Sequence, residues 1–529
     1  MKKFRSFFDL RLLHCFMIIA VFFSFWIIAK PGSSKTLPIQ DEKNRLVICL
    51  PSPIVSLDPT DYRDRNTQIV LKNMFDSLTT RDANMKVVPQ LAESWRALND
   101  TTWEFKLRRG VKFHNGDDFT AEDVKFTLER VVKQGALNGK TSPRKGLLGP
   151  LSRVKIIDNH TVQIKTEKSW AILPLMLTLQ EIVPKKYMET VGSEGFQTNP
   201  IGTGPFRFVK SEGKESLILE RFEDYYGGSP ENPPVQVAPL KYLIFKTVPV
   251  KAKRIAILKK GECDIITHVP PEAIRILQTA PGIEVLSCPA TRSYFAEINY
   301  TKPPFNDQRI RLAMNYAVDM RAVVDHILQG HGKVLPTVLL PNAFAYNSSL
   351  TPYTYDPKLA KQLLDASGVP KGFSITICCQ EKYRQFANII ASFLTRVGVK
   401  SVINVADKNR ARVSMKNLEA DILVTSWGNS TLDPVGILVP KFKSGGRGNF
   451  SKYSNGEVDK LLSQAEGTLD SQMRINYYKK VQKIIYKDAP MIFGYAAEEF
   501  YGVRERVKNF IPSSSGMIYM HDVYIENGN

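Results

Sequence analysis

Apolar and polar positions change period along the chain. Leu46-Val-Ile-Cys-Leu50 is a continuous apolar run of strand length, and Trp103-Glu-Phe-Lys-Leu107 alternates as a strand with one buried face should. At Thr120 the pattern turns helical: Asp123 stands at the capping-box spacing, and Val124, Leu128 and Val131 then fall on one face. Strand patterns follow at Thr161–Thr166, Phe206–Val209, Leu217–Arg221 and Leu240–Val248. Between them Asn199-Pro-Ile-Gly-Thr-Gly-Pro205 is expected as a loop whose glycines permit unusual backbone angles. From residue 306 onward the helical period dominates. Ile310, Ala313, Met314, Ala317 and Val318 form one apolar stripe, Leu359, Leu363 and Leu364 a second, and Phe386, Ile389, Ile390, Phe393 and Leu394 a third. Strand runs at Phe373–Cys378 and Asp421–Ser426 alternate with these stripes, so the first half is expected as strand-rich α+β and the second as α/β. The composition changes through Pro289-Ala-Thr-Arg292 and Thr301-Lys-Pro-Pro304, where a boundary between lobes is expected.

The first residues are an address. Lys2, Lys3, Arg5 and Arg11 precede an uncharged run from Leu12 to Ala29, the order of a bacterial export signal. The run is long for a cleaved signal and short for a spanning helix, so residues 1–35 are a signal peptide or an N-terminal membrane anchor. The whole chain of 529 residues, with 43% hydrophobic and 23% charged residues, suits a large globular protein and excludes a collagen-like or multi-pass membrane chain. A net charge of +20 invites a nucleic-acid partner. The export segment carries +5 of it, and no block of about five or six like charges occurs downstream. A dispersed basic surface is expected, and no nucleic-acid partner.

Catalytic signatures are missing. None of His14, His114, His160, His268, His326, His331 and His521 has metal-motif spacing, and the chain has no CxxC, GxSxG or phosphate loop. No catalytic residue, metal or cofactor is therefore expected. Beyond the export segment the cysteines are Cys49, Cys263, Cys288, Cys378 and Cys379. The adjacent pair points to opposite faces of its strand, so in an exported protein a bridge is sought among the other three.

A series of ordered segments carries a resemblance. Ser56-Leu-Asp58-Pro59 comes first, then Pro89-Gln-Leu-Ala-Glu93-Ser-Trp95, Leu107-Arg-Arg-Gly110-Val-Lys-Phe113-His114-Asn-Gly116 and Phe119-Thr-Ala-Glu122-Asp123-Val124. Asn199 to Phe206, Asp224-Tyr-Tyr226-Gly-Gly228, Phe305 to Val318, Tyr355-Asp-Pro357, Trp427 with Asp433-Pro434, and Tyr453 to Asp459 complete it. Over nearly all of the chain after the export segment, the series resembles the extracytoplasmic solute-binding proteins of family 5, the dipeptide- and oligopeptide-binding proteins of peptide ABC transporters. The resemblance implies a mixed α/β, two-lobed periplasmic-binding-protein-like fold of class II with a hinge. Lobe I would span 36–290 with an inserted subdomain at about 85–198, lobe II 291–495, and residues 496–529 would return to lobe I. It also implies a monomeric periplasmic receptor, not an enzyme, that encloses a peptide between its lobes and delivers it to permease subunits in the inner membrane. Glutathione, a murein peptide or a nickel chelate are alternative cargoes on the same fold; a secreted hydrolase is the reading from another class.

The same resemblance implies the site. The peptide main chain would pair with a strand edge, here Ile422–Ser426 running into Trp427, whose ring would cover the ligand. Arg384 stands where the dipeptide-binding branch pairs an arginine with the peptide carboxylate. That branch has an aspartate for the peptide amine three residues after the tryptophan. Trp427-Gly428-Asn429-Ser430 has serine there, and Asp433, at a turn before Pro434, is the nearest acid. Tyr294, Arg384, Trp427, Gly428, Asn429, Ser430 and Asp433 are the expected ligand-binding residues. Cys49 and Cys263 stand where the branch has a disulfide, and His114 is expected to be structural.

Overall fold

The structure, a computed structural model, describes residues 44–228 and 237–526. The export segment lies outside them. The apolar run Leu46–Leu50 lies in β1 (Arg45–Leu50), buried along all but its first residue. β2 (Thr79–Arg81) and β3 (Val87–Pro89) form a short antiparallel ribbon. β4 (Ala92–Asn99), β5 (Thr102–Leu107), β6 (Leu151–Asp158) and β7 (Thr161–Thr166) make a separate sheet in the order β4-β5-β7-β6. The helix Ala121–Val132 covers this sheet because its stripe of Val124, Leu128 and Val131 shares a core with Phe105, Val154 and Ile164. Its capping box is formed, with Thr120 N donating to Asp123 Oδ2 at 2.8 Å.

β8 (Phe206–Glu212), β9 (Ser216–Arg221), β10 (Tyr242–Thr247) and β11 (Ile265–Ile266) join β1 in the large sheet. β12 (Ile283–Ile298), β13 (Gly332–Val334), β14 (Ser374–Cys379), β15 (Lys400–Val405), β16 (Ile422–Gly428) and β17 (Met491–Arg504) complete it. The strand order is β15-β14-β16-β12-β17-β11-β1-β10-β9-β8, with β13 also on β17.

The long antiparallel pair β12 and β17 is the backbone of the molecule. Cys288, Tyr501 and Val503 enter one core with Leu46, Phe75 and Phe245. At the other end of the pair, Ala296, Ile298 and Ile492 enter a second core with Met314, Ile377 and Ile390, while Phe295, Met491 and Phe493 enter a third with Phe442 and Tyr478. The register of β12 against β17 shifts between Pro289 and Ser293 and again between Tyr294 and Phe295. The compositional change at Pro289–Arg292 therefore falls inside a strand, at an irregularity of the kind that tolerates proline and raises local twist.

Gly202 and Gly204 differ from the sequence expectation. Neither needs a positive φ; a Cβ on Gly202 would stand 2.1 Å from Met74 O, and one on Gly204 2.5 Å from Met74 C. Close approach of two backbone segments, not unusual angles, demands glycine. His114 rivets this loop: its Nε2 is 2.9 Å from Gly204 O as donor, and its Nδ1 accepts from Gly202 N at 3.2 Å. Burial pushes the imidazole down to about 4, so it stays neutral and structural.

Candidate functional site

β16 has two different sides. It pairs with β12 from Ile422 opposite Ile298 to Gly428 opposite Arg292, but with β14 only over Ile422–Val424. From Thr425 to Gly428 no described strand lies on the β14 side, which leaves a short strand edge. Side chains converge there. Ser426 Oγ is 2.7 Å from Tyr383 Oη and accepts from Arg292 Nη1 at 2.9 Å. Tyr294, opposite Ser426, stacks on Tyr495 at 4.8 Å and meets Tyr383 edge-on at 6.3 Å. Arg384 follows Tyr383 and starts the helix Arg384–Arg396. It is half exposed and grips Glu381, with Nε 2.9 Å from Oε1 and Nη2 2.8 Å from Oε2.

The segment after β16 divides between surface and interior. Trp427 is half-buried; its Nε1 donates to Gly436 O at 2.8 Å, and its ring lies under Arg447 and Lys441 at 4.9 and 5.0 Å. Gly428 lies under the Arg292 guanidinium, which a Cβ would meet at 3.1 Å. Asn429 and Asp433 point inward. Asn429 Nδ2 donates to Asp433 O at 2.9 Å, and Asp433 takes Arg474 Nη2 on both oxygens at 3.1 and 2.9 Å while accepting from Val435 N. These two residues hold the turn that presents Ser430. Tyr294 and Trp427 thus lie on opposite faces of the β12–β16 pair, packed against different cores, Gly428 and Ser430 follow Trp427 in the chain, and Arg384 follows Tyr383 on the Ser426 side.

Across a narrow seam from Ser430 stands a residue that sequence reasoning missed. Arg81, at the end of β2 and 6% exposed, donates from Nη1 to Ser430 O at 2.6 Å. Its Nη2 reaches Thr178 Oγ1 only at 3.4 Å, and its Nε finds no acceptor. Gln68, Lys72 and Tyr519 help to line the seam, which leaves a cavity of about 20 Å³, room for one water and not for a peptide. Burial pushes Arg81 down to about 10. Nearby, Lys72 and Arg144 share Glu181, each at 3.2 Å. Further contacts join the two sides: Ala171 N donates to Glu466 O at 3.4 Å, Ser169 Oγ bonds Gly467 O, and Val435 packs on the core of the four-stranded sheet. Nothing in Thr-Thr-Arg-Asp marks Arg81 in the sequence; its role comes from a contact across 349 positions.

Cys49 and Cys263 are buried free thiols in contact with each other, and burial pushes Cys263 far up, with Cys49 adding to the shift. Among the described residues no group of three or more His, Cys, Asp or Glu is placed to hold a metal ion, and no helix is long and apolar enough to cross a membrane.

Known proteins share this architecture. Heme-binding protein A of Haemophilus influenzae is 27% identical over 533 residues, covering 94% of this chain and 95% of the relative. The dipeptide-binding protein of Escherichia coli is 28% identical over 471 residues, 83% of this chain and 86% of its own. The solved structure of HbpA2 from Haemophilus parasuis matches with a TM-score of 0.83 at 25% identity, covering 92% of this chain and all of that one. DppA from Helicobacter pylori, an ABC transporter-associated periplasmic binding protein solved with the peptide STSA, matches at 0.76 and 25% identity over 92% of this chain and 98% of its own. Residues 86–449 match the bacterial extracellular solute-binding proteins, family 5 Middle, and the chain belongs to that family of two-lobed binding proteins.

Proposed function

We propose that this chain is the receptor of an ABC importer that captures a peptide in the seam and hands it, chemically unchanged, to membrane permease subunits. The observation that carries the reading is the open edge of β16 from Thr425 to Gly428, which offers main-chain groups to an extended peptide whatever its side chains. Arg384 would exchange its exposed partner Glu381 for the peptide carboxylate, and Tyr294 and Trp427 would flank the chain. Lobe I at 36–290, lobe II at 291–495 and the return at 496–529 would then separate about β12 and β17 to admit the ligand, and only a ligand that touches both lobes favours closure. The receptor works as a monomer in the periplasm, released from or anchored through residues 1–35, and there the Cys49 and Cys263 thiols, free and in contact in this structure, would oxidise to a disulfide. Isothermal titration with di- and tripeptides tests the reading: saturable binding without turnover is expected. Replacing one peptide N–H by N-methyl should weaken binding about tenfold if that group pairs with the edge. Equal affinity for every N-methylated position would refute edge pairing.

A further inference from the structure

We propose that Arg81 is an anion clamp of the seam, and that the natural ligand carries a carboxylate at the end that lodges beside Ser430. A guanidinium has five N–H donors in a planar fork. In Arg81 one short bond to Ser430 O and one long contact to Thr178 Oγ1 use part of it, and Nε is left without an acceptor although the side chain is buried. Such a cation normally brings its own counter-charge, because desolvation of an unpaired ion is costly. No described carboxylate is hydrogen-bonded to it: Asp433 is close enough to favour its charged form but gives both oxygens to Arg474, and Glu181 is shared by Lys72 and Arg144. Ser430 offers a carbonyl and a hydroxyl, neither of which neutralises an ammonium group. A peptide amine placed here would therefore meet a cation whose nearest acid, Asp433, is already bonded to Arg474, whereas a carboxylate fits the fork with two parallel bonds. Among the described residues the one short hydrogen bond that Arg81 makes is to Ser430, across the seam, so a carboxylate held by the Arg81 fork and the Ser430 hydroxyl couples anion binding to closure.

The inference rests on the peptide reading for the shape of the ligand, but not for its charge. The full chain is titrated with Ala-Ala-Ala and with N-succinyl-Ala-Ala-Ala, which replaces the amine by a carboxylate. Wild type should bind the succinylated peptide about tenfold tighter or more, Arg81→Gln should abolish that preference, and Ser430→Asp should reverse it. A wild-type preference for the free amine, or a succinyl preference that survives in Arg81→Gln, overturns the clamp. If neither peptide binds, the peptide reading fails and the clamp is read with succinate alone. A rise in melting temperature seen in wild type and lost in Arg81→Gln then supports it; an equal response, or none in either protein, overturns it. The charge preference separates ligand recognition from a merely structural role, which would move both affinities together.

Discussion

Two buried cations invite comparison. Lys441, 1% exposed, bonds the buried carboxylate Glu297, donates to Gly448 O at 2.6 Å, and lies 5.0, 5.1 and 5.2 Å from the rings of Trp427, Phe450 and Phe295. Burial pushes Lys441 down and Glu297 up, and each resists the other's neutralisation. Arg81 is almost as deep, but among the described residues no carboxylate is bonded to it and Asp433 acts on it only from a distance. Where the chain supplies the counter-charge, a buried cation is architecture, here packed over the face of the Trp427 ring. Where it does not, a donor stays unfilled in a residue that lines the seam, and that is where we infer a ligand carboxylate binds.

The comparison breaks first at Lys441. Lys441→Met strands Glu297 in the core and should lower unfolding free energy by about 3–5 kcal/mol, read by chemical denaturation. Next comes His114, a buried base kept neutral instead of paired. Its folded value is about 4 against 6.5 for the free side chain, so the unfolded state takes up the proton first. Stability is complete above about pH 6.5 and falls as the pH drops toward 4, by up to about 3 kcal/mol, and His114→Gln should flatten that interval of a melting-temperature profile. Arg384 is the exposed counterpart of both cations. Arg384→Ala should leave the melting temperature alone but weaken a peptide with a free carboxylate about tenfold, and its C-terminal amide hardly at all. The smallest effect sharpens the contrast: Arg81→Gln should change unfolding free energy without ligand by less than about 1 kcal/mol, since it removes a buried charge to which no described carboxylate is bonded. A loss matching that of Lys441→Met would make Arg81 architecture too.

Local chemistry was legible from residues. The capping box at Thr120 and Asp123 and the stripe from Phe386 to Leu394 depend on neighbours a few positions away, and each forms; Trp103–Leu107 is a strand as expected, but its alternation breaks at Glu104, which is buried with Arg96 and Gln163 bonded to it. β12 was not legible, because Pro289 and Arg292 interrupt its apolar pattern at the register shift, where a strand can absorb them only with β17 beside it. Trp427 came through resemblance, and Ser430 through its departure from the pattern, serine standing where the dipeptide-binding branch has an aspartate. Which side of it faces inward did not: Asp433 looks like an available acid until Arg474 is placed against it. Arg81 is the extreme case, for its burial and its partner both arise from packing between distant parts of the chain.

The crossing of β17 into the first core also sets an order of assembly. β11 has β1 on one side and β17 on the other, and Tyr501, Val503, Phe510, Met517 and Met520 fill the core that Leu46 and Ile48 begin. The earliest strand to be made is thus sealed by some of the latest residues. Long-range closure of this kind is slow, and a chain that emerges amino end first cannot complete its first core until nearly its whole length is present. The topology itself postpones completion of that core until the last strands are made, and a truncation of the last thirty or so residues would unravel the beginning of the molecule, not only its end.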